Sequence, residues 1–167
     1  MTASQTSSVL NSPPAAVPRV RWFFLAPVLL SAAFAAMHVL DKHLPGTLLF
    51  HMPGKMVGWG PMLAGGAFCL AGAARFLRRG NNLLPKPDGR TLVTDGVFRI
   101  SRNPMYLGMT LILVGLAVVA GSATVWLVPP AFAWLIDRQL IRREEAMLVH
   151  QFGPAYDDYR RRVRRWV

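Results

Sequence analysis

Few side chains in this 167-residue chain are able to do chemistry. The acids are Asp41, Asp88, Asp95, Asp137, Glu144, Glu145, Asp157 and Asp158, and the histidines stand at 38, 43, 51 and 150. Histidines so scattered have no metal-ligand spacing, and no metal site is expected. Cys69 lies within an apolar stretch and reads as a small buried hydrophobe; lacking a second thiol, the chain has no internal disulfide and no cysteine-based zinc cluster. No glycine-rich phosphate loop opens a helix, and no Ser, His and Asp set accompanies a nucleophile elbow. Acid–base and electrostatic chemistry remain, concentrated in three segments. They are Thr91-Leu92-Val93-Thr94-Asp95-Gly96-Val97-Phe98, then Ser101-Arg102-Asn103-Pro104-Met105-Tyr106, then Arg142-Arg143-Glu144-Glu145 followed by Phe152-Gly153-Pro154-Ala155-Tyr156-Asp157-Asp158-Tyr159.

Each segment also has a purely structural reading. Asn103 before Pro104 is what a helix start wants, with Asn as the cap and Pro in the first turn, and Arg102 is then an anchor at the membrane surface. Glu144 and Glu145 on a basic helix pair with arginines a turn away, each pair contributing only a few tenths of a kcal/mol. Gly153-Pro154 ends one helix and starts the next. Tyr156 and Tyr159 then share one face of a last amphipathic helix at the lipid interface.

The elements that must position these groups follow from composition. The chain is 53% hydrophobic and 16% charged, with a net charge of +11, which excludes a disordered chain and departs far from a soluble globular one. Residues 22–40 carry no charge and are long enough to cross a hydrocarbon core of about 30 Å as a retained first helix; a polar, Pro-containing tail, residues 1–18, precedes them and is expected to be disordered. Residues 56–74 form a second charge-free run, rich in Gly, which suits close helix approach inside the bundle. Residues 103–136 are too long for one crossing and fold back at Gly121-Ser122. The two arms are residues 104–120 and 123–136, the second expected to kink at Pro129-Pro130.

The expected fold is therefore an all-α integral membrane protein of about four membrane-spanning segments, the last two a helical hairpin, followed by cytoplasmic amphipathic helices. With the N-terminus inside, all Lys and Arg except Lys42 and Lys55 fall on the cytoplasmic side, as do all acids except Asp41. Both termini are then cytoplasmic, in a multi-pass protein of a bacterial inner membrane, and the basic charge reflects topology. Nucleic acid is excluded as a partner because aromatic residues do not interleave with the basic cluster.

In their order, the three segments resemble the isoprenylcysteine carboxyl methyltransferase family and its relatives, the membrane phospholipid N-methyltransferases. The likeness covers residues 92–166. It consists of an L-V-T-x-G-x-[YF] stretch from Leu92, an R-[HN]-P-x-Y motif opening a membrane helix at Arg102, a helical hairpin, and E-E-x-x-L-x-x-x-F-G-x-x-Y-x-x-Y-x-x-x-V-x-R from Glu144 onward. The resemblance implies one membrane methyltransferase domain, residues 19–167, with S-adenosylmethionine as cofactor. The positions it implies for that cofactor are Arg90, Leu92, Val93, Phe98, Asn103, Pro104, Met105, Tyr106, Glu144 and Glu145. Carboxylates there would offset the cofactor's cationic groups, and the apolar residues would wall its carbon atoms.

The sequence departs from the family at two places. Asn103 replaces a histidine, keeping a hydrogen-bonding side chain but losing a titratable one. Leu140 replaces the arginine expected to hold a substrate carboxylate four residues before the first Glu. Arg138, Arg142 and Arg143 stand near it, any one able to substitute, and Arg138 and Arg142, with Tyr106, are the residues expected to act on the reaction itself. The implied acceptor is a carboxylate of prenylcysteine type or another lipid-like, apolar molecule, entering from the bilayer through a groove left by the Gly-rich second segment. Its partners are then the lipid bilayer and this acceptor, with no obligate protein partner. Two other readings stay open: N-methylation of a phosphatidylethanolamine-type headgroup, and a non-catalytic membrane subunit whose basic residues 160–165 bind anionic lipid.

Overall fold

The computed structural model describes residues 25–49, 51, 53–78 and 91–167. The expected tail, residues 1–18, the first three residues of the run starting at residue 22, and Arg90 lie outside the described residues. Helix α1 spans Leu25–His43. A 3-10 turn, Gly54–Gly58, leads into α2, Trp59–Arg78. After a short 3-10 turn at Gly96–Arg99 comes α3, Pro104–Ala120. A 3-10 turn at Thr124–Leu127 precedes α4, Val128–Ile136, which passes through a π-helical turn, Asp137–Ile141, into α5, Arg142–Phe152. Last is α6, Pro154–Arg162. Among the described residues there is no strand, only an isolated bridge between Leu48 and Ser122. Helix α1 and the Gly54–Arg78 rod are long and apolar enough to cross a membrane; α3, at 17 residues, would extend about 26 Å.

The expected hairpin turn is present. Gly121 adopts a left-handed φ of 80° and donates its N–H to the Ala117 carbonyl, closing α3. Lys55 Nζ donates to the Ala120 carbonyl at 2.8 Å, placing a cation where the helix dipole is negative. The arm expected to kink at Pro129-Pro130 changes from 3-10 to α at Val128, just before the pair. Both prolines lie in the first turn of α4, where a missing N–H costs no intrahelical bond, and the helix runs on through the π turn to Phe152.

Helix α2 is not the interior element that its glycines suggested. It packs mainly on α3, while Leu63 and Leu70 on its other side are 71% and 74% exposed. Gly58, Gly65 and Gly72 recur every seventh residue and face Gly115, Gly108 and the Pro104-Met105 start of α3. A Cβ on Gly65 would overlap the Gly108 carbonyl oxygen, so the helices touch backbone to backbone. The glycines therefore close a seam instead of leaving a groove. An apolar groove of about 290 Å³ lies elsewhere, between α1 and α4, bounded by Leu29, Ala33, Val128 and Phe132 among others.

Two cores result. The larger joins α1, α3 and α4 around Leu113, Ala117, Val125, Phe132 and Ile136, and includes Leu140, which is 2% exposed. The smaller is built from Val93, Phe98, Tyr156, Tyr159 and Val163. Tyr156 and Tyr159 do share one face of α6, but that face packs against protein and not lipid: the rings meet edge to face with centroids 6.1 Å apart.

Candidate functional site

At the end of the bundle where α3 begins, the smaller core forms one wall of a cleft. It is lined by Thr91, Leu92, Val93 and Phe98 from the loop before α3, Arg102 and Asn103 at its start, Glu144, Glu145, Leu148 and Phe152 from α5, and Phe76, Tyr156 and Tyr159. The Tyr159 hydroxyl donates to the Phe98 carbonyl at 2.7 Å and fixes that wall. Burial pushes the Tyr156 and Tyr159 phenols up, so both stay protonated.

The π turn delivers the acids. By inserting one residue into the helical ladder it re-aims the side chains that follow, and α5 presents its two adjacent glutamates in different directions. Glu144 Oε1 accepts from the Tyr106 hydroxyl at 2.8 Å. Glu145 Oε1 is 3.2 Å from Arg102 Nη2 and accepts from Arg165 Nε at 3.1 Å, while Glu145 Oε2 accepts from Arg165 Nη2 at 2.6 Å. Arg165 Nη1 reaches Asp137 Oδ1 at 3.2 Å, and Arg142 Nε reaches Asp137 Oδ2 at 2.9 Å. Arg102 also donates through Nη1 to the Tyr156 oxygen at 3.4 Å. Its Nε is buried without a partner, an orphan donor on a residue that lines the cleft.

Asn103 stands at the cap position of α3, but its side chain makes no capping bond. Its Nδ2 donates instead to the Arg165 carbonyl at 3.2 Å, and Ser101 Oγ donates to the same oxygen at 3.1 Å. The sequence reading of Asn103 as a side-chain cap is thereby corrected: the strap of residues 163–167 takes the hydrogen bond.

Of the residues expected to contact a cofactor, Leu92, Val93, Phe98, Asn103, Glu144 and Glu145 line the cleft. Tyr106 sits behind it on Glu144, Pro104 is buried, and Met105 faces Gly72 in the helix seam; Arg90 lies outside the described residues. Arg138 and Arg142 do not line the cleft. Arg138 is exposed, its guanidinium 5.8 Å from the centre of the Trp134 ring, and Arg142 is held by Asp137. The arginines at the site are Arg102, read from the sequence as an anchor, and Arg165, read as one of a basic run. A signal for Arg165 was present in the V-x-R that closes the C-terminal motif.

The polar set suits a zwitterionic head with an apolar body. Arg102 can offset a carboxylate, Glu144 and Glu145 can offset a cation, and Leu92, Val93, Phe98, Leu148 and Phe152 can wall carbon atoms. The cleft encloses about 80 Å³, enough for an amino-acid-sized group, so a larger ligand must extend beyond it.

Comparison with known proteins gives this geometry its context. The phospholipid methyltransferase family matches the chain over residues 57–155, from the turn before α2 to the start of α6. The chain belongs to that family. It is also related to the isoprenylcysteine carboxyl methyltransferases: it is 36% identical over 72 residues to protein-S-isoprenylcysteine O-methyltransferase of Schizosaccharomyces pombe, covering 43% of this chain and 30% of that protein. With the mouse protein of the same name it shares 35% over 100 residues, 57% of this chain and 35% of that one. A protein of Haemophilus influenzae described as uncharacterized is 38% identical over 63 residues, 38% of this chain and 100% of its own length. The chain thus spans about a third of the length of the two named relatives.

Proposed function

We propose that this protein is a membrane methyltransferase that uses S-adenosylmethionine to methylate a lipid-like acceptor at the cytoplasmic surface. One observation carries the reading: in a member of the phospholipid methyltransferase family, a single cleft brings together two carboxylates, the arginine Arg102 and an apolar wall. Four crossings, with both termini cytoplasmic, account for the exposed Val28, Phe34, Val39, Leu63, Leu70 and Leu127, which hydrocarbon would cover. They also put the arginine-rich end of the bundle, with the cleft, on the positive side.

S-adenosylmethionine supplies an electrophilic methyl group on a cationic sulfur. The chain's own contribution is placement. Arg102 would hold the carboxylate of the amino-acid end, Glu144 would offset its ammonium, and Leu92, Val93 and Phe98 would exclude water from the neighbouring carbon atoms. Asp137 and Glu145 each hold two arginines, so their oxygens are already occupied by charged donors. Such a site favours an acceptor that is already anionic, such as a carboxylate, over an ammonium that must first lose a proton.

The test is calorimetric titration of S-adenosylmethionine into the detergent-purified protein, with Glu144→Gln as the comparison. Saturable binding that weakens at least tenfold in the variant is expected, about 1.4 kcal/mol. Absence of saturable binding in lipid-supplemented micelles would overturn the proposal.

A further inference from the structure

We infer that Arg165 is a positioning residue for the cofactor cleft, setting cofactor affinity through Glu145 without itself lining the cleft. This rests on the methyltransferase reading above. Three stretches distant in sequence meet at this residue. Its guanidinium holds both oxygens of Glu145 and one of Asp137. Its carbonyl accepts from Ser101 and Asn103, and the carbonyl before it, on Arg164, accepts from the Arg102 N–H at 3.1 Å. The residues that open α3 and the acids that bracket the π turn are therefore tied to each other through the strap.

The chemistry of the fork matters. A guanidinium offers Nε and two Nη donors in one plane, matching a carboxylate on one side and leaving an arm for a second acid. Lysine has a single nitrogen and cannot reproduce that division. With Arg165 absent, Glu145 keeps Arg102 alone, on a side chain with several free torsions, and the cleft's second carboxylate is no longer held in one rotamer. The strap itself does not depend on this residue for its place: Val163 is buried in the smaller core and Trp166 packs against the larger. Removal of the Arg165 side chain should leave the chain folded.

The experiment uses the full chain in detergent micelles, with S-adenosylmethionine titrated by calorimetry and unliganded melting temperatures recorded in parallel. Arg165→Ala is expected to bind about tenfold more weakly and Arg165→Lys to recover part of that loss. Arg164→Ala, at an exposed neighbour, should stay within about twofold. Glu145→Gln should weaken binding too, and Arg165→Ala with Glu145→Gln together should be no weaker than the worse single variant, because both break the same contact. Wild-type affinity in Arg165→Ala, or losses that multiply in the double variant, would overturn the inference while the methyltransferase reading stands. Failure of the wild type to bind S-adenosylmethionine would overturn that reading and the inference with it. Should Arg165→Ala fold poorly, Arg165→Lys decides: wild-type affinity there refutes the role of the fork.

Discussion

The seam between α2 and α3 allows a sharp test, because of two adjacent glycines on α2 one faces α3 and the other open space. A Cβ on Gly65 would overlap the Gly108 carbonyl oxygen and lie 2.9 Å from both the backbone nitrogen and Cγ1 of Ile112. Backbone cannot yield as a side chain can, so the two helices must part. On Gly66 the same Cβ meets nothing within 4 Å. Exchanging Gly for Ala in a helix interior is worth up to about 1 kcal/mol, and forcing a methyl into a packed contact costs about 1–3 kcal/mol. Gly65→Ala should then destabilise by about 1–2 kcal/mol, and Gly66→Ala should be neutral or stabilising by up to about 1 kcal/mol. Gly72→Ala falls between, since its obstacle at 2.9 Å is the Met105 side chain, which is flexible enough to move aside.

The assay is SDS titration of micelle-embedded protein, followed by far-ultraviolet circular dichroism, with S-adenosylmethionine affinity measured on each variant. Parting the helices at Gly65 also shifts the start of α3, which carries Asn103 and Tyr106, so affinity should fall in Gly65→Ala and hold in Gly66→Ala. Equal stability in the two variants, or the reverse order, would refute the close backbone contact and with it the account of how α3 is held.

Other perturbations separate stability from binding. Leu140→Arg restores the arginine expected from the family pattern but buries a charge in the main core, where Leu140 is 2% exposed; a loss of about 3–5 kcal/mol, visible as poor recovery of folded protein, is the expected outcome. Tyr159→Phe removes the donor to the Phe98 carbonyl and should cost about 1–2 kcal/mol in the same SDS titration. Lys55→Ala removes the cation capping α3 far from the cleft and should lower stability by about 0.5–1 kcal/mol with no change in cofactor affinity.

Much of this fold was legible because membrane helices announce themselves by length and the absence of charge. The turn at Gly121, the start of α3 at Asn103-Pro104 and the break at Gly153-Pro154 all stand where residues with special backbone preferences stand. What the pattern could not show was which surface each element keeps for itself. Glycines in α2 signalled close approach, but not that a single partner, α3, would take that whole face. Pro129-Pro130 predicted disruption because a proline is costly only after the first turn, and the sequence did not show where that turn began. The π turn has no sequence signature, so the course of the helix beyond Ile136 could not be foreseen.

The arginines show the same limit at the site. A count of basic residues gives the sign of one end of the bundle but treats each arginine alike, whereas the structure gives them different tasks. Arg75 holds Asp95 and Arg160 holds Asp157 at the surface, where such pairs contribute little. Arg102 and Arg165 hold Glu145, whose side chain is 15% exposed, and there a lost partner leaves a poorly solvated charge. The difference comes from the helix itself: adjacent residues point about 100° apart, so Glu144 turns to Tyr106 and Glu145 to two arginines. An E-E pair in a sequence is one motif, but on α5 it is two groups of unlike surroundings, one of them joined to the strap that closes the fold. Cofactor affinity should therefore respond to substitutions at Arg165, outside the segment that the family match covers, as well as to substitutions in the motif within it.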